Sequence, residues 1–148
     1  MIVLDTNVIS ELMRPVPDDG VRAWISANDP LDLVVTTITV AEIRRGILRL
    51  PNGRQRARLE DSFSAFVEEA FGDRLLVFDR AAAYACGEIS AAREQRGLHA
   101  DTVDMMIAAV VKTAGATLAT RNMSDFEPCG IALVNPWQDS GHGAFGST

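Results

Sequence analysis

Histidine and cysteine are scarce in this chain, and their scarcity removes several chemistries. His99 and His142 are the only histidines, and neither has metal-ligand spacing. A mechanism that divides acid and base work between paired histidines therefore has little to stand on, and His99 reads as a solvated loop residue. Cys86 and Cys129 lie far apart and form no C-x-x-C, so two buried thiols are expected rather than a disulfide or a metal site. Lys112 is the single lysine, expected on the exposed side of a helix. Neither G-x-S-x-G nor a P-loop occurs. No apolar run approaches the roughly 20 residues that span a bilayer. Met1 leads straight into Ile2-Val3-Leu4-Asp5, without the basic start or the length of a secretory signal, which places the protein in the cytoplasm.

What is present suits one globular domain. With 148 residues, 47% hydrophobic and 23% charged, the chain can bury a real core. The net charge of −6 argues at first against a nucleic-acid partner, because phosphate contacts need Lys and Arg. Distribution matters more than the sum. Arg44, Arg45, Arg49, Arg54, Arg56 and Arg58 crowd one segment, and an acidic protein with one basic patch can still bind RNA. Arg44, Arg45 and Arg49 are candidate phosphate contacts. The competing reading is a solvated helix face with i, i+4 pairs such as Arg56 and Glu60.

Apolar runs alternate with helical patterns, as in βαβ units that build a parallel sheet. Strands are expected at Ile2–Leu4, Leu33–Thr37, Leu75–Phe78, Thr117–Thr120 and Ile131–Val134. Between them, helices are expected over Asn7–Met13, from near Asp18 through Ile25, and from Val40 to Leu50 before Pro51-Asn52-Gly53. Further helices are expected over Arg54–Ala70, Arg80–Arg96 and Thr102–Ala114, the last ended by Gly115. Trp24, Phe63 and Phe66 read as core or partner interface. The domain is expected to span residues 1–138, with 139–148 as a flexible tail rich in Gly and Ser. Gly141, Gly143 and Gly146 match G-x-G-x-x-G there, but no strand closely precedes them and no helix can follow.

The acids carry the chemistry. Asp5 ends the first strand, and Asp125 lies just beyond the strand at Thr117–Thr120. Glu42 and Asp104 are expected in the first turns of their helices. Sites in open α/β sheets form outside the carboxyl ends of the strands, where these groups can meet. Each alone has an ordinary explanation, since acids in a first helical turn favour the helix dipole and Asp101 can cap the helix that holds Asp104. Together, converging carboxylates repel one another and raise at least one pKa, a strain that a hard divalent cation removes. Such an ion also polarises a phosphoryl oxygen and activates a bound water.

The segments Ile2-Val3-Leu4-Asp5-Thr6-Asn7, Thr39-Val40-Ala41-Glu42-Ile43 with Gly46, Asp104-Met105-Met106-Ile107-Ala108-Ala109, and Leu118-Ala119-Thr120-Arg121-Asn122 with Asp125-Phe126 resemble the PIN-domain family. The likeness is to the small VapC-like ribonuclease toxins of type II toxin–antitoxin pairs, and it runs from about Ile2 to Trp137. It implies a three-layer α/β/α domain with a central, mostly parallel sheet. It implies that Asp5, Glu42, Asp104 and Asp125 are catalytic and hold Mg²⁺ (or Mn²⁺), with Thr120 and Asn122 as supporting polar residues. It also implies an RNA substrate, a homodimer, inhibition by a cognate antitoxin, and contact with DNA only through that antitoxin. Two alternatives stand beside it. A phosphatase of the haloacid-dehalogenase kind also ends its first strand on an aspartate, but it wants a second Asp where Asn7 stands. A catalytically silent scaffold that binds RNA or antitoxin would be favoured by loss of one acid, and all four are present.

Overall fold

The computed structural model describes residues 1–139. Its centre is a five-stranded sheet of β1 (Ile2–Leu4), β2 (Leu33–Thr36), β3 (Leu75–Leu76), β4 (Thr117–Ala119) and β5 (Ala132–Val134). The order is β3-β2-β1-β4-β5, and every pairing is parallel. Each strand is short and apolar because the sheet is covered on both faces.

Alternation along the strands sorts the core into two layers. Val3, Val34 and Leu118 face α5 (Arg80–Gln95) and α6 (Thr102–Thr113), packing with Ile89, Met105 and Ile107. Leu4, Val35 and Ala119 face the other way, onto α1 (Thr6–Leu12), α2 (Asp19–Ser26), α3 (Thr37–Leu48) and α4 (Arg54–Ala70). The three-layer expectation is met. Two short helices complete the chain, α7 (Met123–Phe126) and α8 (Pro136–Asp139).

Local chemistry explains most boundaries. Asp18 opens α2 by accepting from Val21 N at 3.0 Å, and Asp101 opens α6 by accepting from Asp104 N at 3.0 Å. Gly115, at φ +63°, closes α6, with its N–H on Lys112 O and the Ala116 N–H on Val111 O, both at 3.1 Å.

Several expectations need correction. β3 stops at Leu76 instead of Phe78 because its neighbour β2 ends at Thr36, opposite Leu76, and offers no further partner. Thr36 leaves the sheet to cap α3 through its hydroxyl, which accepts from Thr39 N at 3.0 Å. The helix therefore starts at Thr37, and Glu42 lies in its second turn rather than its first. A single 3-10 turn at Pro30–Asp32, α7 and α8 were not expected, since pieces of three or four residues show no period. Trp24 and Phe63 are buried, Phe66 is half-buried, and His99 and Lys112 are exposed, as read from the sequence. Cys129 is buried, Cys86 half-buried, and both are free thiols. Asp139 closes α8, and the rest of the expected tail, with His142 and the three glycines, lies outside the described residues. Among the described residues no helix is long and apolar enough to cross a membrane.

Candidate active site

Asp5 is positioned where β1 gives way to α1. Its N–H donates to Ala119 O of the neighbouring β4 at 2.9 Å, and its carbonyl accepts from Val8 and Ile9 in the first turn of α1. The buried side chain accepts at each oxygen, from Thr6 N at 2.8 Å and from the Thr120 hydroxyl at 2.8 Å. Thr120 is fully committed. While donating to Asp5, its oxygen accepts from Asn122 N at 3.1 Å and Asn7 Nδ2 at 3.3 Å. Asn7 closes the clip by accepting from Arg121 N at 3.2 Å. This explains why an asparagine follows Asp5 at two residues: its amide ties the end of β4 to α1.

Glu42 approaches from α3, where the Thr6 hydroxyl donates to its Oε1 at 2.6 Å. Thr39 Oγ1 lies 3.3 Å from that hydroxyl and 3.4 Å from Thr36 Oγ1, so a short chain of hydroxyls backs the carboxylate. Asp104 arrives in the first turn of α6 and is half-buried. Asp125, in α7, is exposed. Asn122 immediately precedes α7 and is exposed at the edge of the site.

Electrostatics couple these groups. Burial raises the Asp5 pKa above its ordinary value, and the Thr120 and Thr6 hydrogen bonds only partly oppose it, while Glu42 and Asp125 push it further up. Asp104 is raised to about 7, first by burial and then by the negative charges of Asp101, Asp5, Asp125 and Glu42. The sign of the consequence is definite. An unfolded aspartate titrates near 3.9, about its free value, so between there and about 7 the native protein holds more protons than the unfolded one. The Asp104 contribution to the stability of the metal-free protein is therefore expected to fall as pH rises through that window and to level above it. Asp104→Asn should flatten this fall by about 1–2 kcal/mol after solvent screening. Melting curves in chelator from acid to neutral pH measure it, and parallel wild-type and variant profiles would refute it.

Asp5, Glu42 and Asp104 line one cavity of about 530 Å³, together with Thr6, Asn122 and Glu11 among others. Asp125 does not line it and acts there through its charge. Among the described residues no three acids are already gathered into a metal cage. The donor set still suits a hard cation. It is all oxygen, each Asp5 oxygen accepts one protein hydrogen bond and keeps a lone pair, and Mg²⁺ usually takes only one or two carboxylates with several waters.

Arg44, Arg45 and Arg49 are exposed, and none lines the cavity. No ion pair joins Arg56 to Glu60 among the described residues. The cavity-lining residues to which the sequence assigned no role are Thr6, Ser10, Glu11, Arg14, Arg121 and Trp137. Thr6 and Arg121 stand inside the PIN-like segments and were legible there. Glu11 was not, because burial of an acid in an i, i+3 pair with Arg14 looks in sequence like any surface pair.

A family model described as PIN domain matches residues 2–127. A VapC ribonuclease of Sinorhizobium fredii is 39% identical over 138 residues, covering 93% of this chain and 99% of the relative. Toxin FitB of Neisseria gonorrhoeae is 37% identical over 139 residues, covering 94% of this chain and 100% of the relative. The crystal structure of FitAcB from the same species superposes with a TM-score of 0.87 at 36% identity, covering 93% of this chain and 99% of that one.

Proposed function

The chain belongs to the PIN domain family, and from that premise we propose that it is a metal-dependent endoribonuclease acting as the toxin of a type II toxin–antitoxin pair. The observation that carries the reading is the single cavity shared by Asp5, Glu42 and Asp104, in which burial and mutual repulsion raise the proton affinity of Asp5 and Asp104. Relatives bearing the names ribonuclease and toxin match nearly the full chain. The phosphatase alternative falls with the family assignment, and Asn7 is already occupied by Thr120 and Arg121.

Asp5, Glu42 and Asp104 would hold Mg²⁺ or Mn²⁺, with Asp125 adding charge from the edge. When bound, the ion supplies an acidified water and neutralises charge on the phosphodiester. The chain's own residues do the rest. Thr120 and Thr6 N fix the Asp5 carboxylate, and Thr6 Oγ1 fixes Glu42 at one oxygen. The other Glu42 oxygen meets no protein donor among the described residues and can take a proton from the attacking water. Asn122, which lines the same cavity, would meet the RNA strand as it enters. An antitoxin would silence the enzyme, contact with DNA would run only through that partner, and the active toxin would be a homodimer.

Mapping of cleavage ends on total RNA tests the reading. Cleavage should require Mg²⁺ or Mn²⁺, stop in EDTA, and leave no 2′,3′-cyclic phosphate, because water and not the ribose hydroxyl attacks. Metal-independent cutting or cyclic ends would defeat it. Millimolar Mg²⁺ should also raise the melting temperature of the wild type and not of Asp5→Asn, by linkage of binding to folding.

A further inference from the structure

A phosphodiester brought against Asp5, Glu11, Glu42 and Asp104 is repelled, and a bound metal offsets only part of that charge. Two cations line the same cavity, Arg14 and Arg121, and they differ in what else they touch. Arg14 donates to both carboxylate oxygens of buried Glu11, at 3.2 and 3.0 Å, so its charge is largely cancelled. Arg121 meets no carboxylate among the described residues. Its guanidinium lies over the Trp137 indole instead, 5.0 Å from the ring centroid.

Both residues in that contact are anchored through their backbone N–H groups. Arg121 N donates to Asn7 Oδ1 at 3.2 Å, in the clip that also orients Thr120 beneath Asp5. Trp137 N donates to Asn135 Oδ1 at 3.0 Å, directly after β5. A guanidinium held against an aromatic ring keeps N–H donors free for phosphate oxygens. The side chain is exposed, so a strand can reach it.

We propose that Arg121, held on the Trp137 indole, binds a backbone phosphate of the RNA that enters the acidic cavity, and that Arg44, Arg45 and Arg49 take no part in this. The proposal rests on the ribonuclease reading above. It places the only uncompensated cation among the described cavity residues beside the acids, and it lets the strand be registered by its backbone without regard to base.

Binding of a short, labelled, mixed-sequence single-stranded RNA tests it, measured in an Asp104→Asn background with Mg²⁺ present and NaCl varied. Adding Arg121→Gln should weaken binding about tenfold and lower the salt slope by about 0.7, the loss of one single-strand phosphate contact. Arg121→Lys should recover the slope but not the full affinity, since an ammonium keeps the charge without the planar fork. Changing Arg44, Arg45 and Arg49 together to Gln should leave the slope unchanged. In the protein with Asp104 intact, Arg121→Gln should raise KM about tenfold with kcat within about twofold. An unchanged slope in Arg121→Gln, or a slope that Arg44, Arg45 and Arg49 control, overturns the proposal while leaving the ribonuclease reading in place. If no variant or wild type cuts RNA, the ribonuclease reading fails, and the slope still decides whether Arg121 meets phosphate.

Discussion

Asp5→Asn and Asp104→Asn are each expected to reduce RNA cleavage by about 10²- to 10⁴-fold, the range lost when a group that handles charge or protons at a reacting centre is removed. Their effects on stability part company. Asp104 is half-buried, burial and neighbouring like charges raise its pKa to about 7, and among the described residues no hydrogen bond to its side chain is seen, so an amide there relieves repulsion. Without metal and at neutral pH, Asp104→Asn is therefore expected to be more stable than the wild type. Asp5 is different because both of its oxygens accept, from Thr6 N and from Thr120. An asparagine replaces one acceptor with a donor, and Thr120 Oγ1 already accepts from Asn7 and Asn122. One buried donor must then face another, at a cost of about 1–3 kcal/mol that offsets the gain from losing a buried charge. Cleavage assays with chelator melting curves read both effects. Wild-type rates in both variants would remove the acidic site from the mechanism, and a stabilised Asp5→Asn would show that its hydrogen bonds matter less than its charge.

The largest loss of stability is expected far from the cavity mouth, at Arg93→Met. Arg93 projects from α5, is buried, and donates through Nε to His99 O at 2.9 Å and through a terminal nitrogen to Glu127 O. These two carbonyls belong to the segment that leads into α6 and the segment that follows α7, so one guanidinium joins the supports of Asp104 and Asp125. It also lies against Cys129, whose thiol burial pushes up and Arg93 pulls back. Methionine fills much of the space and supplies no donor, leaving both carbonyls without their charged partner. The expected cost is about 3 kcal/mol, or about 6–12 °C in Tm for a chain of this size. Lysine should restore little, because one ammonium on a flexible stem does not span both acceptors. Denaturant titration decides it, and a change below about 0.5 kcal/mol, the scale of an ordinary surface substitution, would mean that water replaces the guanidinium at no cost.

The boundary between what could be read and what could not follows the range of the forces. Helix and strand identity, the caps at Asp18 and Asp101 and the stop at Gly115 come from neighbours within a few positions, and the chain alone determined them. So did the candidacy of Asp5, Glu42, Asp104 and Asp125, since each stands just past a strand or near a helix start. The pieces lost from that reading were those too short to show a period, α7 and α8, and the edge strand β3, whose length its partner sets.

What the tertiary structure alone decided is which of these groups meet. Placing β1 between β2 and β4 brings Thr120 under Asp5 across 115 positions, and the packing of α3 against α1 brings Glu42 to Thr6 across 36. The same packing keeps the prominent cluster at Arg44, Arg45 and Arg49 out of the cavity lining and places Arg121, which no charge cluster marks, on Trp137 within it. Charge density along a chain counts neighbours in sequence. A site is assembled from neighbours in space, and only the order of the strands and the rotation of each helix about its axis convert one into the other.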